Sequence, residues 1–358
     1  MMTVQNLVLV QDIVRLPKTT LEEICTKLSV TKDGSLDELT VRIWGQLVDN
    51  PELQNSALEH CRNRIFGGRL SVTWYTPADG FTLSNLFEIL TENCNFDVFN
   101  TIKIPQNITT TPEVIGAAKG EQEGEYFLRF IYKSPIFRNF YDIKTVYPRS
   151  AVATVVINES NGYIEVRADY KSAPQIAAAL GQLIKIPLKQ KRIGEKSGNR
   201  IEGIAKALNG NLVDASAKPD LLLDEPTVEQ AKAVIKILAA IDCFFENEDT
   251  EILRTRLLEG REAFGVEIVH LPFAARVLSG LGKVGLGVSS ENRDLRATPL
   301  YGVLEPYLQN QGGYIRFSIG EDASVTHTVR VGMTTNSIFF ATPASEFVID
   351  YIRERVIM

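Results

Sequence analysis

One short pattern occurs twice in this chain and restricts its fold more than any other feature. Two runs rich in β-forming residues, at 151–158 and 162–168, flank a turn of Glu159, Ser160, Asn161 and Gly162, and Pro174 then opens an amphipathic stretch over 175–184. The same succession returns at 327–333 and 337–341 around Thr334, Thr335 and Asn336, with Pro343 leading into a helical stretch over 345–355. Each copy predicts a β-hairpin followed by a helix. A lone hairpin is marginally stable in water, so each must join further strands and hide one face. The expectation is an α+β fold with a curved antiparallel sheet backed by helices, in which both hairpin-plus-helix units lie in one body.

Other strand-like runs lie at 69–75, 126–132 and 313–319, and Thr82 is placed to cap a helix over 83–92. The polar stretch 105–124 reads as a long surface loop. From 6 to 64 the apolar residues recur at helical spacing, Leu21, Ile24, Cys25 and Leu28, then Leu39, Ile43, Trp44 and Leu47, and the run ends near Gly67 and Gly68. The stretch 226–258 is also helical, with Val228, Ala231, Val234, Ile235, Leu238 and Ala239 on one face. These boundaries divide the chain into a helical module at 1–66, an α+β part at 67–185, and a third part at 186–358 holding a basic loop, a helical linker and the second hairpin unit.

Composition removes several function classes. No apolar run approaches the roughly 18 to 20 residues that span a bilayer, and no basic region precedes the short apolar run at the N-terminus. The expectation is a cytoplasmic or nuclear protein, neither secreted nor membrane-bound. The four cysteines, Cys25, Cys61, Cys94 and Cys243, form no C-x-x-C pair and read as reduced thiols. With a net charge of −6, contact with nucleic acid has to come from a local patch.

Within the helical module, Val30, Gly34, Leu39, Arg42 and Ile43 fall at the spacings of the SAP helix-extended-helix motif, and residues 17–47 resemble that family. Ser29 stands where the family has glycine and Leu36 where it has lysine. The resemblance implies two helices joined by an extended segment, with duplex DNA met by basic residues, here Lys18, Lys27, Lys32 and Arg42, among which Glu22, Glu23, Asp37 and Glu38 are interspersed. A helical protein-interaction module is the alternative. The overall layout, a small helical head, the run 126–132 and a C-terminal run 338–343 before a last helix, is faintly similar to the centromere protein N family, which reads DNA and a protein partner through a basic groove.

Two segments concentrate cations. Lys185, Lys189, Lys191, Arg192, Lys196, Arg200 and Lys206 face only Glu195 and Glu202, and with Gly194 and Gly198 between them they read as a mobile basic loop suited to phosphates. Lys133, Arg138, Lys144 and Arg149 alternate with Phe137, Phe140, Tyr141 and Tyr147, a mixture that can hold phosphates and stack bases. The alternative is core aromatics with cations reaching past them to water.

Signals for catalysis are thinner, and no cofactor is implied. Gly280, Gly282 and Gly285 match a dinucleotide fingerprint by letter, without the strand, turn and helix it requires. Asp169 and Lys171, with Glu159 upstream, echo a metal-dependent nuclease triplet. His60, His270 and His327 lack metal-ligand spacing. The leading expectation is a non-enzymatic adaptor that binds DNA, or RNA, through the basic loop, with a protein partner plausible and no small-molecule substrate. A scaffold that touches only proteins is the alternative, and a nuclease the third. A continuous basic surface joining 185–206 to 132–149 favours the first, a large exposed apolar patch the second, and carboxylates clustered beside Lys171 the third.

Overall fold

A computed structural model describes all residues except 141–142, 220–226, 265–283, 289–292, 306–307 and 321–324. The chain forms two compact units, Met1–Gly210 with Ile315–Met358, and Asn211–Tyr314. The first unit begins with helices α1 (Val10–Ile13), α2 (Lys18–Lys27), α3 (Leu36–Leu47), α4 (Pro51–Leu58) and α5 (Arg62–Ile65). Strand β1 (Ser71–Pro77), helix α6 (Leu86–Asn93), and strands β2 (Glu113–Lys119), β3 (Glu125–Phe140), β4 (Ile143–Asn158) and β5 (Tyr163–Arg167) follow. Helix α7 (Ala173–Ile184), strand β6 (Leu188–Gln190) and helix α8 (Ile201–Ala207) lead to the second unit. That unit holds β7 (Asn211–Pro219), α9 (Val228–Asn247), α10 (Thr250–Phe264), β8 (Val284–Gly287) and α11 (Pro299–Leu304). Strand β9 (Leu308–Ser318) re-enters the first unit, which ends with β10 (Thr326–Gly332), β11 (Ser337–Phe340), α12 (Glu346–Ile352) and a π-helical turn at Arg353–Ile357.

The fold is α+β, and both hairpin-plus-helix units lie in the first unit and in one sheet. Strand order there is β2-β3-β4-β5-β1-β11-β10, with β6 on β1. Strand β1 is the join: Val72 pairs with Arg167 of the first hairpin on one side and with Ile338 of the second on the other, antiparallel in both directions. The link is tightened at Gly67, where a Cβ would stand 2.2 Å from the Ala344 carbonyl oxygen, so only glycine fits.

Strand alternation sends side chains into two layers. Tyr126, Leu128 and Phe130 of β3 pack with Leu86 and Leu90 of α6 and with Ile176, Leu180 and Ile184 of α7. Phe127, Val156 and Ala118 face the other way, into one core with Leu21, Ile24, Leu39, Ile43 and Leu47. The core of residues 1–66 is therefore closed on one side by the sheet. The boundary at 185 is likewise not a boundary of compact units, because β6 pairs with β1 immediately after it.

The connection from α2 to α3 is set by local chemistry. Ser35 caps α3, its Oγ accepting from the Glu38 amide at 3.3 Å while the Glu38 carboxylate accepts from the Ser35 amide at 2.7 Å. Gly34, at φ 127°, leaves space for that carboxylate, which a Cβ would approach to 2.6 Å. Ser29 is at φ 55°, a left-handed conformation that favours glycine.

Other expectations change. The stretch 105–124 is not all loop, since β2 lies within it and pairs with β3. Its Ile115, Ala117 and Ala118 are buried, but small residues give a weak strand signal. Helix α6 starts at Leu86, later than Thr82 suggests, with the Leu86 amide donating to Glu159 Oε1 at 3.2 Å. The helical linker is two helices, broken at Glu248 in a left-handed conformation.

Candidate functional site

The segment 185–206 is not one loop: it holds strand β6, a 3-10 turn and the first residues of α8, joined by turns. Lys185 ends α7 at φ 58°, and Lys189 lies in β6 with its Nζ 2.5 Å from Asp79 Oδ1. The Lys191 amide donates to the Trp74 carbonyl at 2.8 Å, and its Nζ is 3.5 Å from Glu195. Ile193 is buried, its amide bonded to Asn336 Oδ1 at 3.1 Å. Gly194 and Gly198, at φ 85° and 67°, bracket the 3-10 turn Glu195–Ser197, so they shape a turn where the sequence suggested mobility. Arg200 precedes α8, and Arg192 and Lys196 are exposed.

The second cationic segment forms a hairpin arm. Strand β2 pairs with β3 only as far as Ile131, and β5 pairs with β4 only from Thr154. Beyond those points 132–140 and 143–151 pair with each other, and no third strand flanks them among the described residues. This ribbon is about 30 Å long. Lys133 is opposite Ser150, Arg149 opposite Ser134, Arg138 opposite Thr145 and Lys144 opposite Asn139.

Register separates Lys189 of the first segment from Lys133 of the second. One row crosses the sheet through Gln190, Tyr75, Ile164, Ile157 and Tyr126. Lys133 lies seven residues beyond Tyr126 along β3, about 23 Å, and four strand spacings add about 19 Å across the sheet. Lys189 of β6 and Lys133 of β3 are therefore not neighbours, because local charge runs carry no information about strand register.

An apolar surface occurs instead on α9. Val228, Ile235, Leu238 and Phe245 are 70, 66, 42 and 79% exposed. With Ala231 and Asp242 they follow one another at steps of three and four residues, a single stripe along the helix. The opposite face carries buried Ala233, Ile237 and Ala240 and meets α10. There Gly260 permits close approach, since a Cβ would stand 2.4 Å from Ile237 Cδ1. At 100° per residue Ile235 is some 200° from Ile237, so the stripe points away from α10.

Sequence reasoning missed a buried ionic cluster on β5. Ile164 and Val166 enter the core under α7, while Tyr163, Glu165 and Arg167 point to the other side and are buried as well. Arg167 is 3.1 Å from Glu165 and grips Glu346 of α12 through two contacts of 2.5 and 2.6 Å. Arg353 bonds Glu165 and Asp350, and its guanidinium lies 4.3 Å from the Tyr163 ring centre. Trp74 Nε1 donates to Glu165 at 3.3 Å. Burial would push the Glu165 carboxyl up, and the Arg167 and Arg353 guanidinium groups more than reverse this, holding it below the ordinary range. Burial, with Glu165 and Glu346 nearby, pushes the Asp350 carboxyl up despite Arg353. A second buried pair, Arg129 with Asp12 at 2.7 Å, ties β3 to α1. The alternation at 163–167 was the available signal, but it equally describes a strand with a wet face.

The catalytic candidates are not assembled. Asp169 Oδ1 accepts from the Lys171 amide at 2.9 Å and shapes the turn before α7, while Glu159 lies at the opposite end of β5. Gly285 is within β8; Gly280, Gly282 and His270 lie outside the described residues. His60 and His327 are far from each other in sequence, and burial lowers the pKa of both. Among the described residues no group of three or more His, Cys, Asp or Glu could hold a metal, and no helix is long and apolar enough to cross a membrane.

Neither the protein-family models nor the curated proteins contain a match to this chain.

Proposed function

We propose that this chain is a protein-interaction subunit that docks through the apolar stripe of α9. The observation that supports it is the exposure of Val228, Ile235, Leu238 and Phe245 along one helix face. Single exposed apolar side chains are common on soluble proteins, whereas a row of them extending about 25 Å marks a binding surface. Replacing Ile235 and Phe245 together by Glu tests it. In native extract the wild-type chain should elute as part of a larger assembly and the variant as a smaller species. Identical elution of the two removes the reading.

A second reading, DNA or RNA binding, is supported by the β3–β4 ribbon and by the SAP resemblance of residues 17–47. A two-stranded ribbon can enter a groove of duplex DNA, and exposed Lys133 and Arg149 stand at its base. Against it, Arg42 donates to the Thr31 and Asp33 carbonyl oxygens at 2.5 and 3.0 Å, and so is turned to holding the α2–α3 connection. Titration of duplex and single strand at two salt concentrations decides. Changing Lys133 and Arg149 to Ser should flatten the salt slope by about two units, and binding without salt dependence would end this reading.

A further inference from the structure

The pattern of charge beside the α9 stripe selects a partner for it. Taking Val228 as the first position of a heptad, Val228, Ile235 and Asp242 occupy one seam position, Ala231, Leu238 and Phe245 the other, and Lys232, Ala239 and Glu246 the flanking position that follows it. We propose that the stripe is occupied by α9 of a second copy of this chain, packed antiparallel about a two-fold axis. This rests on the interaction reading above and names its partner.

Antiparallel packing puts each residue of the first seam position opposite one of the second. Val228 then meets Phe245 of the other copy, Ile235 meets Leu238, and Asp242 meets Ala231. The flanking positions lie on the same side of the seam, where residues 232 and 246 are offset by five residues, about 7.5 Å along the axis, and their side chains, each leaning toward its own N-terminus, converge. Lys232 of one copy therefore stands beside Glu246 of the other, and the symmetry makes this contact twice. Both residues are exposed, and both lie beside the stripe. Lys232 belongs to the N-terminal half of α9 and Glu246 to the C-terminal half, so an antiparallel pair brings these two opposite charges together, while Lys236 is 3.4 Å from Glu259 of α10 and exposed Glu229 lies one position off the seam.

The parallel alternative brings like together with like. It would place Asp242 against Asp242 in the seam, two carboxylates facing each other in an apolar contact. A second copy also satisfies the closure condition of a two-fold contact, in which the same patch serves both subunits and leaves nothing exposed to propagate a fibre. A seam of one 20-residue helix is small for an interface, so the dimer should be weak, with a Kd on the order of micromolar.

Sedimentation equilibrium of the full chain from about 1 to about 100 μM tests this. The wild type should pass from monomer to dimer across that range. Lys232→Glu should weaken the dimer by about tenfold or more, and adding Glu246→Lys should restore it, because the pair is only reversed. A dimer indifferent to Lys232→Glu, or one that the double reversal does not restore, overturns the antiparallel pairing. Maleimide reaction of an Ile235→Cys variant separates the remaining cases. A chain that stays monomeric with a reactive Cys at 235 overturns the second copy as occupant and leaves the interaction reading standing. A monomer in which that Cys is unreactive has the stripe covered by its own chain, and both readings fall. Protection that appears only at dimer-forming concentrations supports the proposal.

Discussion

Strand β5 and helix α9 break the ordinary rule of burial in opposite directions. On β5, Glu165 and Arg167 are charged and buried, at 0 and 6% exposure. On α9, Ile235 and Phe245 are apolar and exposed. The difference lies in whether the chain itself supplies the partner. Glu346, Asp350 and Arg353, brought from the C-terminal helix and the turn after it, neutralise and hydrogen-bond the charges of β5. Among the described residues nothing comparable covers the α9 stripe. A buried charge left without its partner is strongly destabilising, whereas an exposed apolar side chain costs little until a partner comes to cover it. One region is closed internally; the other keeps an apolar face exposed.

The comparison is tested most severely at Glu165. Glu165→Leu leaves Arg167 and Arg353 without their shared carboxylate and should destabilise the first unit by about 3–5 kcal/mol. Both tryptophans, Trp44 and Trp74, belong to this unit, so fluorescence during urea unfolding reports it alone. A loss under about 1 kcal/mol would mean that the cluster is not what holds α12 to the sheet.

Leu39→Ala asks whether the helical head also belongs to the closed side. Leu39 is fully buried in a core shared with the sheet, and its truncation should cost about 2–4 kcal/mol in the same assay. Unfolding of the head alone, with the Trp74 signal unchanged, would separate it from the sheet.

Acid gives a graded version of the first test. The Glu165 carboxyl is held below its ordinary value of 4.5, so its stabilising contribution is complete above about that pH and is lost as pH falls through its lowered value. Asp350, raised from 3.8, acts with opposite sign: its proton is favoured in the folded chain, so it resists acid in the window just above 3.8. Asp350→Asn should therefore steepen the loss of stability on acidification. An unchanged pH profile would remove Asp350 from the cluster's titration.

Ser29→Gly relieves a left-handed backbone and should stabilise the head by about 0.5–1 kcal/mol. Ile235→Glu should change stability least, within about 0.5 kcal/mol, since Ile235 is 66% exposed and no partner covers it among the described residues. A cost of several kcal/mol at Ile235 would place the stripe inside the fold and erase the comparison.

Several elements were legible before any coordinates. The hairpins at β4–β5 and β10–β11, the helices α2, α3 and α7 and the helical character of α9 each follow from periodicities of two or 3.6 and from short turn sequences. The Ser35 and Glu38 cap is equally local. Strand β2 was not legible, because Gly116, Ala117 and Ala118 are small enough to pass for loop, and their burial depends on Leu7 and on β3. The placement of the basic segments was not legible for a related reason. Lys189 and Lys133 lie on strands placed by different neighbours, one by β1 and the other by β4, which charge along the chain does not record.

The sequence by itself determined the kinds of element, most of their positions, and the need of each hairpin for further strands, since these depend on neighbours a few residues apart. Only the tertiary structure decided that β1 would join them, that the charged side of β5 would be roofed by a helix nearly two hundred residues later, and that the basic segments would part. It also decided which of α9's two apolar faces met α10. Such choices arise from contacts between segments distant along the chain, where closing a long loop costs only slightly more than closing a short one, so no local periodicity records them.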